Sequence, residues 1–428
     1  MTWLTAPLRK VAPPVTAQLA FNPDEKVWQL SLDQIESGTG EIVGKRYAPA
    51  SDAGSSTFCF DTGNVLYSKL RPYLNKVSIP DEPGIATTEL IPLRPNPKTL
   101  NSSFLAYYLR SPGFVNQASH HVAGAKMPRV VMDWFWEHEA PLPPPKEQSR
   151  IVELLDEANR LRRLYREADA KAARILPVLF LKMFGDPVTN PMGWKMKPLG
   201  NLADQHPEYG ANASACPMAM NKPRYVRITD IRDDGSLSDK EVVSLDAVDW
   251  HRYLLHEGDV LVARSGNTVG KTYIYRSSDG LCSFAGYLIR FQFRSGTVDP
   301  WFIFGLTRTA YYRRWVESHK RVAGQPNING QEYSSLLVPE PPLPLQQKFG
   351  MLTRNTELIL VGAAGAADNL ETIFSIMLEY AFSGQLTATW REAHMKELLA
   401  EMEHQARLLN LTFSTMLPVN GIIGDNAP

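Results

Sequence analysis

Two stretches of the chain carry apolar residues in alternating steps of four and three. The first runs Leu154, Ala158, Leu161, Tyr165, Ala168, Ala172, Ile175, Leu179. The second runs Leu352, Thr356, Ile359, Ala363, Ala366, Leu370, Ile373, Met377, Tyr380. This spacing is a heptad seam and predicts two long helices. Stripes of equal length in one chain can bury each other, which predicts an antiparallel pair; the other reading packs each helix on its own domain. Pro177 predicts a kink in the first helix, and Gly362 and Gly365 lower propensity in the second. Elsewhere the period changes. "DVLVAR" (259–264) and "KTYIY" (271–275) read as strands joined by a Gly/Asn loop, and "VRITDI" and "YLIRFQF" as further strands. "FLAYYLR" (104–110), "FIFGLTRTAYYRRWVESH" (302–319) and a charged segment at about 391–409 read as helices.

The pattern is doubled. "GNVLYSKLRPYLNKVSI" (63–79) aligns with "GDVLVARSGNTVGKTYI" (258–274) at an offset of 195. "WLTAPLRKVA" (3–12) matches "WKMKPLGNLA" (194–203), "VAG" recurs at 122–124 and 322–324, and "APLPPPKEQ" (140–148) resembles "EPPLPLQQ" (340–347). Each unit therefore runs from a "W…PL" entry through a strand-rich region to a proline-rich exit and a long helix. Each globular part is expected to be a compact α+β domain of roughly 140–150 residues.

"GNTVGKT" in the second copy looks like a phosphate-binding loop. That motif needs its first glycine five positions before Gly270, where Ser265 stands, and a helix after the lysine. Tyr273, Ile274 and Tyr275 favour strand, and the first copy has no glycine in the loop. A turn between two strands is the better reading.

The whole chain resembles the DNA-specificity subunit of a Type I restriction–modification system. The resemblance rests on "GDVLVARSGNTVGK", "PLPPPKEQSRIVELLDEANRLR", "AGQPNI" (323–328) and "AFSGQLTATWREAH", in that order. It implies an α+β chain with two pseudo-repeated target-recognition domains joined by two long helices forming an antiparallel coiled coil. On this reading residues 1–145 and 187–341 are the recognition domains, 146–186 and 342–386 the spacer helices, and 387–428 a C-terminal helical tail. The family implies a non-catalytic subunit that recognises a split, asymmetric sequence in double-stranded DNA. Its partners would be two methyltransferase (modification) subunits acting on adenine N6 and two motor-nuclease (restriction) subunits. S-adenosylmethionine, ATP and Mg would belong to those partners, with no cofactor in this chain. From Leu154 to Leu179 a helix rises roughly 40 Å, close to one turn of B-DNA. The chain departs from the family in "KFGMLTRN", which lacks the usual Glu-Gln and isoleucine pattern. It departs again at Ala125 and Lys126, where the second unit has Gln325 and Pro326.

Charge and composition narrow the chemistry. The 45 basic residues equal the 45 acidic ones, so nucleic-acid binding must use local patches. Cys59, Cys216 and Cys282 form no CxxC pair and read as reduced thiols. "MTWLTAPLRK" lacks a signal-peptide core, and no apolar window is long enough to span a membrane, which suggests a cytoplasmic protein. "APPV" and "EPPL" lack the aromatic of an adenine-methyltransferase motif, and His251 and His256 do not form a helical zinc pair. The candidate DNA contacts in the first unit are Lys69, Arg71, Lys76, Lys126 and Arg129. In the second they are Arg224, Arg227, Arg264, Asn267, Lys271, Arg313, Arg314, Lys320, Arg321, Gln325 and Asn327. Arginine pairs with guanine and asparagine with adenine, while phosphate contacts supply affinity and register. Arg110, Lys222, Arg232 and Arg308 belong to the same basic patches. Against this stand a solvated surface charge at each position, a protein scaffold, an NTPase using Lys271, and a specificity subunit serving a methyltransferase alone.

Overall fold

The computed structural model describes residues 2–293, 296–320 and 326–412, and within 357–368 the backbone only. The chain forms two compact units, Met1–Arg163 with Asp368–Pro428, and Leu164–Ala367. Each unit takes one half of each long helix. Among the described residues no helix is long and apolar enough to cross a membrane.

In the first unit a four-stranded sheet runs Tyr47–Pro49, Lys26–Leu30, Gly84–Thr87, Thr57–Phe60, with the central pair parallel. Val77–Ser78, Val65–Ser68 and Leu90–Leu93 form a second, antiparallel sheet. Helices Ser102–Arg110 and Pro112–His120 cover it, capped by the Asn101 and Ser111 side chains. The "W…PL" entry strand Leu4–Pro7 pairs with the proline-rich exit strand Glu139–Leu142, so the two ends of the domain close on each other.

The second unit repeats the plan. Val260–Ala263 pairs with Thr272–Ile274 and with Leu288–Phe291, as the sequence led us to expect for "DVLVAR" and "KTYIY". Val65 stands opposite Leu93 and Val260 opposite Phe291, so the register is conserved between repeats. Met196–Pro198 pairs with Leu337–Pro339 in the same entry–exit closure. Two segments are shorter than the sequence pattern predicts. "FIFGLTRTAYYRRWVESH" forms two helices, Pro300–Leu306 and Ala310–His319, because Thr309 caps the second by accepting from Tyr312 N. "VRITDI" leaves its strand at Val226, because Asp230 accepts from the Arg227 amide and turns the chain.

The first long helix runs Pro145–Ala172 and resumes as Ile175–Phe184. The break precedes Pro177, which lacks the N–H that Ala173 O would accept. The second helix is continuous over Leu343–Phe382, through Gly362 and Gly365. Within the first unit the two helices are antiparallel: Glu147 bonds Thr387, and Arg162 lies against Phe374 and Glu371.

The seam differs from its prediction by one residue. The buried positions are Ile151, Leu155, Arg162, Leu176 and Phe180 on the first helix, and Phe349, Thr353, Phe374, Leu378 and Ala381 on the second. Leu161, Ile175, Ile373 and Tyr380 of the expected stripe are exposed. The buried face belongs to each unit's own core as well. Ile151, Leu155, Phe374 and Leu378 pack with Phe104 and Leu142 in the first unit, and Phe180 and Phe349 with Phe302 in the second. In that second core, Phe180, Phe184, Phe302 and Phe349 lie with ring centroids 4.8 to 5.6 Å apart. Each such pair is worth about 0.5–1.5 kcal/mol beyond the area it buries.

A glutamine clasp fixes each helix start. Gln148 accepts from Asn101 N at 2.7 Å and donates to Pro143 O at 2.8 Å. Gln346 accepts from Asp299 N at 3.1 Å and donates to Pro341 O at 2.8 Å. All three positions are offset by 198. "KFGMLTRN" therefore follows the same frame, with Phe349 in the place of Ile151. Glu147 has no such counterpart, because Leu345 occupies its position. The carboxylate of Glu147 is fully buried and binds Trp3, Thr387 and Arg391. The tail forms helices Ala388–Ala393 and Met395–Leu408 rather than one. It folds back on the first unit, where Gln405 donates to Thr99 O at 2.7 Å.

Candidate nucleic-acid interface

After its first hairpin strand, each unit's chain is braced against a segment before the last helix of the domain. In the first unit Lys69 O accepts from Val130 N at 2.9 Å and Arg71 N donates to Pro128 O at 2.7 Å. In the second, Arg264 O accepts from Ile328 N at 3.0 Å and Gly266 N donates to Pro326 O at 2.9 Å. The equivalences are Lys69 with Arg264, Arg71 with Gly266, Pro128 with Pro326 and Val130 with Ile328. Pro326 of "AGQPNI" thus aligns with Pro128, not Lys126, and Arg129 stands where the second unit has Asn327. The spacing differs from the sequence alignment because the "VAG" repeats anchor it two residues out of step.

The glycines of "SGNTVGK" are turn residues. Gly266 and Gly270 have φ of 71° and 88°. At the same places the first unit has Arg71 and Asn75, with φ of 51° and 50°. A left-handed conformation costs a residue with a Cβ about 1–2 kcal/mol, so glycine relieves strain in the second copy. Lys271 leads into a strand, Thr272–Ile274, and its ammonium is held by Asp233 at 2.8 Å. With no helix N-terminus and an engaged lysine, the loop is not a phosphate cradle.

The structure sorts the candidate residues. Arg129 forks onto Glu89 with contacts of 2.7 to 3.1 Å, and its guanidinium holds the Glu89 carboxyl below its ordinary range. Arg227 forks onto Asp230, and Arg224 reaches Asp239 at 2.9 Å. Lys76 donates to Leu32 O at 2.6 Å, and Lys320 pairs with Glu317. Arg264 lies over the Tyr209 ring at 4.8 Å and donates to Asn327 Oδ1 at 3.4 Å. Lys69 is half-buried in the brace of the first unit. Arg71, Lys126, Asn267, Arg313 and Arg314 are exposed. Arg321 and Gln325 lie outside the described residues.

Sequence reasoning missed the roles of Arg110 and Arg308. Arg110 bonds Thr39 O beside Gly40 and stacks on Tyr107. Arg308 donates to Asp233 O at 2.8 Å beside Gly235 and stacks on Phe304 at 4.2 Å. Both tie the same loop to the same helix, and the shared offset near 195–198 was the available signal. Lys222 pairs with Asp246 at 3.1 Å. In the second unit a cleft of about 830 Å³ is lined by Arg232, Asn267, Lys271 and Arg313 together with Asp169, Asp233, Asp234 and Glu317. Its charges interleave, so it creates no strong basic field. Among the described residues no three or more His, Cys, Asp or Glu gather as metal ligands.

These features define a duplicated α+β protein with two similarly braced loops. The Type I restriction modification DNA specificity domain matches residues 50–167. The chain is 25% identical over 345 residues to the StySPI specificity subunit of Salmonella potsdam, covering 74% of this chain and 72% of that protein. It is 29% identical over 128 residues to the EcoDI specificity subunit of Escherichia coli, covering 30% and 28%. The S subunit of a Type I system from M. genitalium shares the fold, with a TM-score of 0.55, 13% identity, and coverage of 89% of this chain and 96% of that one. A chain from a study of complex assembly and conformational transition in a type I R-M system also shares it, with a TM-score of 0.51, 20% identity and coverage of 90% and 98%. Over residues 50–167 the chain carries the Type I restriction modification DNA specificity domain, and along its length it is similar to specificity subunits of Type I restriction–modification systems.

Proposed function

We propose that the chain recognises a split, asymmetric sequence in duplex DNA, each unit reading one half, and directs adenine-N6 methylation and cleavage by partner subunits. The observation carrying this is the repeated brace. The braced loops carry Arg71 and Lys126 in one unit and Asn267 in the other, where Arg313 of helix Ala310–His319 lines the same cleft as Asn267. Identical frames with dissimilar exposed side chains suit two dissimilar half-sequences, because base edges are read by side chains while the frame sets register. The fold duplication offers similar surfaces to two modification subunits. S-adenosylmethionine, ATP and Mg act in those partners and in two motor-nuclease subunits.

The helices joining the units act as the spacer. Inserting one heptad into each adds about 10 Å, or about three base pairs, to the span. Methylated adenines are then mapped in cells expressing the chain with its modification subunit. The expected result is an unchanged pair of half-sequences separated by a longer gap. An unchanged gap counts against the spacer, and an absence of sequence-dependent methylation counts against the whole reading.

A further inference from the structure

We propose that Arg71 reads a guanine in the half of the target bound by the first unit; this rests on the DNA-recognition reading above. Arg71 has φ 51° and ψ 65° and directly precedes Pro72. A side chain disfavours the left-handed region, and a following proline pushes a residue towards extended backbone. The residue is therefore strained twice over. Its backbone is held there by the bond from its amide to Pro128 O, and by Leu74 N donating to its carbonyl at 2.9 Å. The turn itself needs no arginine, because the second unit makes the same turn with Gly266 and the same pair of bonds. Nor does the fold use the guanidinium. It is exposed, and among the described residues no hydrogen bond, ion pair or ring engages it.

The side chain that bears this strain is exposed, and strained residues of this kind cluster at functional sites. The surroundings select the role. Arg129 beside it is neutralised by Glu89, so Arg71 and Lys126 are the exposed cations of this loop pair. A guanidinium fork projecting from a fixed backbone matches the O6 and N7 acceptors of guanine, the commonest base-specific contact of arginine. The same fork also fits a phosphate, and the two are separated by whether its loss relaxes one base position or weakens every sequence alike.

The test uses the full chain assembled with its modification subunits and a pool of randomised duplexes. Wild type should enrich a two-part motif containing a guanine in one part. Arg71→Gly should enrich the same motif with that guanine degenerate, discrimination there falling by about fivefold to a hundredfold. Its melting temperature should hold or rise, because the strain is relieved. Arg71→Lys should keep the overall affinity and salt dependence while weakening the guanine preference. The proposal is overturned if Arg71→Gly enriches an unchanged motif, loses affinity equally for every sequence, or melts lower. An unchanged motif leaves the DNA-recognition reading standing, whereas a wild-type complex that enriches no motif removes both.

Discussion

The Arg162 guanidinium lies over the Phe374 ring, 4.0 Å from its centroid, and pairs with Glu371 on the same helix. A charged residue thus occupies a buried seam position between the two long helices. Its aliphatic stem packs while its head finds both a π-face and a carboxylate.

This placement makes the seam register testable. Leu155→Ala removes a fully buried side chain and should cost about 2–5 kcal/mol. Leu161→Ala, at an exposed position of the apolar stripe, should cost less than about 0.5 kcal/mol. Chemical denaturation of the two variants measures the difference; equal losses would restore the register read from the sequence.

The Glu147 cluster predicts a larger effect. Its carboxylate accepts from Trp3 Nε1 at 3.0 Å, Thr387 Oγ1 at 2.6 Å and Arg391 Nε at 2.7 Å. Glu147→Ala leaves a mostly buried guanidinium without its counter-charge and should cost about 3–5 kcal/mol. Glu147→Gln, which keeps the shape, should cost less. Urea melts of both variants check the order, and a harmless Glu147→Ala would refute the cluster's role in tying tail to domain.

Acid sensitivity follows from Glu89. Hydrogen bonds from Arg129 lower its carboxyl below the ordinary value. A lowered folded value contributes stability above the unfolded value of about 4.3 and loses it as the pH falls through the folded one. Arg129 is solvent-screened, so Arg129→Ala should lower stability only slightly at pH 7. Wild type and variant should converge as the pH falls below about 4. Denaturation curves across this range are the check, and a gap that stays constant at every pH would exclude the linkage.

Thiol reactivity should separate the cysteines. Burial pushes the Cys282 thiol up to about 12, while Cys59 and Cys216 are half-buried. A thiol reagent at pH 8 should modify Cys59 and Cys216 in the native protein, and Cys282 only after unfolding. Early labelling of Cys282 in an intact fold, followed by peptide mapping, would contradict its burial in the second unit.

The doubling, the strand pair around "SGNTVG", the two long helices and the break before Pro177 were all legible in the sequence. They depend on local chemistry: side-chain period, turn residues and a missing amide. Tertiary structure decided the seam register, because Leu154 and Leu155 are adjacent and equally apolar, and Arg162 shows its buried role only beside Phe374. It also decided which cations are engaged. Arg129 and Arg224 look alike in sequence to Arg71 and Arg313, and only the fold brings Glu89 and Asp239 within reach of the first pair. Pairing across long separations is a property of the folded chain, and a linear pattern carries the residues without their distances.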